Sequence, residues 1–218
     1  MTGEAREWRD TPKKAPKCRI VSDCVGLDKE QAYPTRSVSG QQCYPAIIEI
    51  HHMTSEEAVV HIRYTGWASR KLLDAARQLP AEVLSKDLGV SHSSILGTLA
   101  HTFFADAIWY MRAVDPATPY PNPKEVPPLE TLDTRWRELL QKWEAWAQAL
   151  TDPDLDKNIT YRLLDGTPFE STLKQVVMHV VNHATLHRGQ AVALIRQAGV
   201  KPPATDLIFY YRELAAAT

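Results

Sequence analysis

Apolar residues recur every three or four positions in four long stretches of the chain, the spacing typical of amphipathic helices. The first stretch is EEAVVHIRYTGWASRKLLDAARQL, with Thr54 and Glu57 as a capping pattern at its start and Pro80 as its stop. The second is ILGTLAHTFFADAIWYMRAV, which Ser93 or Ser94 can cap. Both stretches predict long helices with one apolar face.

Two further helices and a hairpin are predicted in the second half of the chain. The third helix is LETLDTRWRELLQKWEAWAQAL, and the fourth runs from about Thr172 to Ala198 and closes at Gly199. Between them, ITYRLLDGTPFEST alternates apolar and polar residues around an Asp165-Gly166 turn, which predicts a small hairpin. After the fourth helix, KPPATDLIFYYREL predicts a short docking helix.

Four amphipathic helices with little strand predict an all-α fold: a four-helix bundle with a small hairpin before the last long helix. The proline-dense segment DPATPYPNPKEVPP separates the second and third helices. Because prolines cannot donate the backbone hydrogen bonds of a regular element, this segment is predicted to be a connector. It is long enough to cross the bundle, so simple up-down-up-down connectivity does not follow.

The first 52 residues differ from the rest of the chain. Residues 1–52 have no helical period and scattered Pro, Gly, Ser, Lys and Gln, which predicts a poorly ordered extension, whereas residues 53–218 are predicted to form the compact domain. The extension contains all three cysteines, which are Cys18, Cys24 and Cys43. No Cys-x-x-Cys pair occurs among them, so neither a disulfide framework nor a structural zinc site is favoured.

Charge and apolar runs exclude two classes of partner. Lys and Arg number 25 against 26 Asp and Glu, so the chain has no net field to attract nucleic acid or an anionic membrane surface. The chain also lacks the apolar core of a signal peptide and the roughly eighteen consecutive apolar residues of a membrane span. We therefore expect a cytoplasmic protein with neither nucleic-acid nor membrane partners.

Three histidines of the fourth helix, in the string HVVNHATLHRGQ, are the first candidates for chemistry. On a helical wheel the core direction is defined by Leu173, Val176, Val177, Val180, Ala184, Ala191, Leu194 and Ile195. His187 lies roughly 35° from that direction, His183 about 75° and His179 about 115°. His183 and His187 therefore face inward one turn apart, close enough to bind one ion, whereas His179 is an edge residue.

A third ligand must come from another helix, and His101 is the best candidate. It lies on the inner side of the second helix, at helical spacing from Gly97 and Phe104. Buried imidazoles without partners would cost about 1–3 kcal/mol for each unsatisfied nitrogen, and a shared divalent ion removes that cost. Ordinary core or surface histidines remain an alternative, because an H-x-x-x-H pair alone is a weak signal. His61 and His92 are not assigned.

The string HVVNHATLHRGQ, followed by AVALIRQAG and KPPATDLIFYYRE, resembles the DinB/YfiT-like family. A Tyr-x-x-Trp pattern in the first helix and Leu-x-His in the second belong to the same resemblance, which covers about Met53–Leu214. It implies a four-helix bundle, often a homodimer, with a divalent metal held by His101, His183 and His187. The family includes enzymes that use low-molecular-weight thiols. One departure is Ser69, which stands where the family often has asparagine.

Three histidines with an open coordination position are typical of a catalytic metal site. Zinc or nickel is favoured, and iron or manganese is compatible with imidazole ligands. A bound ion would activate water or a thiol for attack on a small electrophile, which predicts a metal-dependent thiol S-transferase or a hydrolase. Because residues 53–218 contain no cysteine, the thiol would come from a cofactor.

Other side chains near the histidines are predicted to assist them. The residues expected to line the mouth of the site are Tyr64, Trp67 and Thr98. Asn182 or Gln190 is expected to orient an imidazole by a hydrogen bond. Arg188 is predicted to lie near the outer face and to form a salt bridge.

Two functions without turnover are alternatives to an enzyme. A metal-stabilised, stress-related binding protein would have a narrow or filled pocket above the ion. A dimeric interaction module would use exposed tryptophans of the third helix, which are Trp136, Trp143 and Trp146. Burial of two of these within the bundle would weigh against the module.

Overall fold

The computed structural model describes residues 52–114 and 121–217, and the predicted extension, except for His52, and its three cysteines lie outside them. The helices are α1 (Ser55–Ala76), α2 (Ala81–Ser85), α3 (Ile95–Val114), α4 (Leu129–Gln148), α5 (Asp152–Leu155), α6 (Leu173–Gln197) and α7 (Leu207–Ala217), and the strands are β1 (Asn158–Arg162) and β2 (Pro168–Thr172). The predicted all-α fold is confirmed. The apolar pattern does not predict α2 and α5, because helices of about one turn have no periodicity to detect. Of the helices described, none has the length and apolar character needed to cross a membrane.

Side-chain caps begin three of the four long helices, whereas α4 follows Pro128 without one. Thr54 Oγ1 accepts a hydrogen bond from the Glu57 amide, and the Glu57 carboxylate accepts one from the Thr54 amide, which forms the predicted capping box of α1. Thr172 caps α6 in the same way. At α3 the cap is Ser94, whose Oγ accepts a hydrogen bond from the Gly97 amide at 2.9 Å. These local hydrogen bonds set where each of the three helices starts.

The helix ends are less regular than the starts. α1 ends at Ala76, before the predicted stop, and Pro80 instead begins α2. α6 closes as predicted at Gly199, whose φ of +88° is a left-handed conformation that glycine adopts without steric cost. The hairpin also forms as predicted, with Tyr161 of β1 opposite Phe169 of β2 in an antiparallel ladder.

The four long helices pack in an order that differs from their order in the chain. α1 packs against α4 and α6, and α3 packs against the same two helices, so α1 and α3 stand at opposite corners of the bundle. The links from α1 to α3 and from α4 to α6 therefore join opposite corners. The helices on either side of the proline-dense segment, α3 and α4, are neighbours in the bundle.

Two tryptophans of α4 are buried in the core. Trp136 is 0% exposed and Trp143 is 1% exposed. Trp136 Nε1 donates a hydrogen bond to Asp106 Oδ2 at 2.9 Å, and Trp143 Nε1 donates to the Asp106 carbonyl at 3.2 Å. Trp146 is half-buried and packs edge-on against Trp143. The prediction of an exposed tryptophan surface is therefore wrong for two of the three residues, because both indole N–H groups have acceptors on α3.

A buried acid and a buried base lie among these core side chains. Burial raises the pKa of Asp106 to about 7, although the hydrogen bond from Trp136 and the charge of Arg188 act in the opposite direction. Arg188 is 2% exposed, and it donates to Thr185 Oγ1 at 2.8 Å and stands over the ring of Tyr64 at 5.2 Å. The prediction that Arg188 faces outward is wrong, because its guanidinium is held inside by these groups.

We expect the Asp106→Asn variant to differ from the wild type in a pH-dependent way. In the folded state Asp106 keeps its proton up to a pH of about 7, whereas in the unfolded chain it loses it near pH 3.9. The free energy of unfolding of the wild type, relative to the variant, should therefore fall by up to about 4 kcal/mol as the pH rises from about 4 to about 7, and then level off. Urea unfolding of both proteins across this range measures the difference, and a difference independent of pH would contradict the prediction.

Candidate metal centre

Four histidines meet where α3, α6 and the loop before α3 come together. The ring nitrogens that His92, His101 and His187 can offer all lie within 4.8 Å of one another. His183 stands beside this group, with its ring centroid 4.4 Å from that of His187 and 5.3 Å from that of His101. His101 and His187 are therefore shared by the predicted trio and by the group whose nitrogens are closest together.

The three histidines of α6 are buried in the order that the helical wheel predicts. His187 is buried at 8% exposure, His183 is half-buried and His179 is exposed, which is the predicted order. His179 packs against Trp109, with ring centroids 4.7 Å apart, at the edge of the cluster. The core direction is correct because all eight apolar residues used to define it are buried. His61 lies half-buried on α1 and is not part of the group.

His92 is the candidate ligand that the sequence left unassigned. It lies in the loop between α2 and α3, where the Ser93 amide donates to the Val90 carbonyl at 2.9 Å and the Leu88 amide donates to the Ser93 carbonyl at 2.7 Å. Ser93 has a φ of 61°, which few residues other than glycine adopt. The His92 ring stacks on that of His101, with centroids 3.8 Å apart and an interplanar angle of 14°.

Gly97 allows this loop to lie directly on α3. A Cβ at residue 97 would stand 2.0 Å from the carbonyl oxygen of His92, so a larger residue would force the loop away. Ser94 stabilises the same junction, because its amide donates to the His92 carbonyl at 2.7 Å. Gly97, on the inner side of the first turn of α3, is the sequence feature that could have indicated this contact. It predicts that another part of the chain approaches closely, but it does not show which residue does so.

Gln190 orients the most buried imidazole. Nδ1 of His187 lies 2.8 Å from Gln190 Oε1, so a neutral ring donates its Nδ1 proton there and keeps the lone pair of Nε2 free. Asn182 is exposed and donates instead to the Met178 carbonyl at 2.8 Å. Of the two residues predicted to orient an imidazole, Gln190 makes that contact and Asn182 does not.

Tyr64 and Trp67 hold α7 and the segment before it against α1, and neither lines the cavity that His92 borders. The Tyr64 hydroxyl donates to the Thr205 carbonyl at 2.9 Å, and Trp67 Nε1 donates to the Glu213 carboxylate at 2.6 Å. Both rings pack around Tyr210, with centroids 5.9 and 5.5 Å away. The prediction that they line the mouth of the site is therefore wrong, because the aromatic face of α7 holds both rings.

A cavity of about 410 Å³ is bordered by His92 and by Gln190, the residue that contacts His187. Its walls come from the loop, from α3 and from α6, and the lining residues are Gly89, Val90, Ser91, His92, Thr98, Gln190, Ala193, Leu194 and Gln197. Thr98 therefore borders the site as predicted. None of these lining residues is an acid, a lysine or an arginine, so the cavity suits an uncharged molecule with both polar and apolar parts.

Burial keeps His92, His101 and His183 neutral at neutral pH. It lowers the pKa of His101 to about 4, with His92 and His187 adding to the effect, and it lowers the pKa of His183 to about 4 with a contribution from neighbouring rings. Burial and His187 lower the pKa of His92 as well. At neutral pH these rings therefore offer lone pairs rather than positive charge.

These residues fit a divalent ion. Neutral imidazoles with converging nitrogens are a ligand set that zinc, nickel and related ions accept. Nδ1 of His183 is buried and has no hydrogen-bond partner among the described residues, a state that costs about 1–3 kcal/mol. Three histidines, His92, His101 and His187, can hold a metal in this arrangement.

Comparison with known proteins agrees with the family resemblance and the helical fold. A model described as the DinB family matches residues 51–215. The chain belongs to the DinB family. Protein DinB of Bacillus subtilis (strain 168) is 24% identical over an alignment of 155 residues, and the match covers 67% of this chain and 89% of that protein. The crystal structure of a DinB-like protein from Bacillus cereus ATCC 10987 has a TM-score of 0.55 and 24% identity, covering 70% of this chain and 98% of that one. The predicted resemblance is therefore confirmed.

We expect His101 and His183 of the metal-free protein to remain neutral down to a pH of about 5. Burial disfavours the imidazolium form, which places both protonation midpoints near a pH of about 4. Ring nitrogen chemical shifts recorded by NMR between pH 3.5 and 8 measure the midpoints, and His101→Gln and His183→Gln variants assign the signals. A midpoint at the ordinary histidine value of about 6.5 for either residue would show that its ring is solvated.

Proposed function

We propose that this DinB-family protein is a divalent-metal-dependent enzyme, either a thiol S-transferase or a hydrolase, acting on a small uncharged electrophile. The observation that carries the proposal is the convergence of ring nitrogens from His101 of α3, His187 of α6 and the loop residue His92, which borders a cavity with room for a small molecule. Zinc or nickel is the favoured ion, with iron or manganese compatible.

His101, His183 and His187 are the proposed ligands from the helices. Gln190 holds His187 through Nδ1, so the ring presents Nε2 in a fixed orientation. A divalent ion bound there supplies Lewis acidity, which lowers the pKa of a water or thiol ligand into the neutral range. His101 and His183 keep their lone pairs at neutral pH because burial disfavours their protonation.

The cavity is the proposed binding site for the electrophile and the thiol. Gln190 and Gln197 offer amide groups to polar atoms of a ligand, and Ala193 and Leu194 offer an apolar wall on the same helix. Residues 53–218 contain no cysteine, so the thiol of a transfer reaction comes from a low-molecular-weight cofactor.

Two observations weigh against the functions without turnover. The cavity beside the histidines is neither narrow nor filled, which favours an enzyme over a metal-stabilised binding protein. The burial of Trp136 and Trp143 removes two of the three aromatic residues on which an interaction module would rely. A homodimer stays a prediction from the family resemblance.

We expect the purified protein to carry about one divalent ion per chain after dialysis against excess metal. His101→Ala and His187→Ala should each weaken metal binding at least about tenfold, because each removes a ligand. Competition with a chromophoric chelator measures the affinity, and circular dichroism verifies the helices. His179→Ala is the matched control, since this histidine lies on the same helix but at its exposed edge, and it should bind metal like the wild type. A wild type that retains no metal would refute the metal centre.

We expect turnover only when the metal is bound, with a thiol as co-substrate for a transferase or with water alone for a hydrolase. The zinc- and nickel-loaded protein is assayed with cysteine-derived and sugar-linked thiols against epoxide and chloroaromatic electrophiles, and without thiol against esters and amides. Gln190→Ala should reduce the rate about 10–100-fold, because the orientation of His187 is lost. Asn182→Ala, which changes an exposed amide of the same helix, should leave the rate unchanged. A metal-loaded protein inactive across both sets of substrates would favour the binding protein instead.

A further inference from the structure

The loop between α2 and α3 brings an additional histidine to the cluster. The ring of His92 stacks on His101 at 3.8 Å and lies edge-on to His187 at 5.2 Å, so it touches both of the histidines that the helices bring together. Its ligand nitrogen is within 4.8 Å of theirs. Among the clustered histidines, His92 alone is attached to a loop, since His101, His183 and His187 lie on long helices.

This loop is anchored on the helix side and is open on the cavity side. The His92 carbonyl is held against α3 by the Ser94 amide, at the position where Gly97 leaves room. Gly89, Ser91 and His92 itself form one wall of the cavity of about 410 Å³. A molecule entering the cavity therefore meets the loop and the cluster at the same point.

We propose that His92 is a further metal ligand, one that a molecule entering the cavity can replace. This inference rests on the proposed metal centre. Imidazoles attached to two packed helices are fixed by the core, whereas a ligand attached to a loop can leave without disturbing the bundle. His92 thereby closes the coordination shell of the resting protein, and its departure opens the position from the side on which the cavity lies.

Hydrogen exchange of the loop tests this proposal without any assay of activity. The amides of Leu88 and Ser93 close the loop through hydrogen bonds to Ser93 and Val90 carbonyls, so their exchange reports its opening. Adding zinc to the metal-free wild type should slow exchange at both amides at least about tenfold, because coordination ties down the loop. In His92→Ala, which still has the helix ligands, zinc should leave these rates unchanged.

Two further variants and one set of reference amides sharpen the test. Ser91→Ala is the matched control, since Ser91 lines the same cavity wall without an imidazole, and it should respond to zinc like the wild type. Gly97→Ala should behave like His92→Ala although it keeps the histidine, because the new Cβ displaces the His92 carbonyl. Amides in the hairpin, such as that of Leu163, should be insensitive to zinc in every variant.

Imidazole is the probe for replacement of His92. Added to the zinc-loaded wild type, imidazole should restore fast exchange at Leu88 and Ser93 while the zinc remains bound. Added to the cobalt-loaded His92→Ala protein, it should return the visible absorption to that of the wild type.

If zinc binds but slows the exchange of the loop amides equally in the wild type and in His92→Ala, His92 is not a ligand. If imidazole binds the metal and the loop stays protected, His92 is not the ligand that leaves. If the wild type binds no zinc, the metal centre itself is refuted.

Discussion

The packing of α3 against α6 determines the candidate site, because His101 and His187 come together only across this interface. Apolar side chains on both helices, such as Phe104, Val180 and Ala184, exclude water around them. The same exclusion that drives the helices together disfavours protonation of His101, so core formation and the availability of its lone pair have one physical cause. A bundle with this interface opened would have solvated, protonatable histidines and no converging lone pairs.

Features that depend on the local chain were predictable from the sequence. The helix starts at Thr54 and Thr172 depend on residues three positions away, and the orientation of α6 depends on the repeat of its own apolar residues. That repeat correctly ordered His187, His183 and His179 by burial. The fold class followed for the same reason, since a long amphipathic helix must bury its face against another.

Features that depend on a distant partner were not predictable. Arg188 was predicted to face outward and Trp136 to be exposed, yet Asp106 of α3 interacts electrostatically with Arg188 and accepts a hydrogen bond from Trp136. The position of Asp106 cannot be inferred from α4 or α6 alone. Tyr64 was misplaced because its ring is taken up by α7. His92 was missed because a loop has no periodicity, and its place depends on the missing side chain of Gly97.

The clustered histidines come from parts of the chain that are far apart in sequence, with His101 on α3 and His187 on α6. An ion that bridges them acts as a cross-link between the two halves of the domain. In the unfolded chain, closing a loop of that length is entropically costly, so the ion has little affinity for it and binds almost only to the assembled bundle. Binding of such an ion would couple the folding equilibrium of the whole domain to the concentration of free metal in its surroundings.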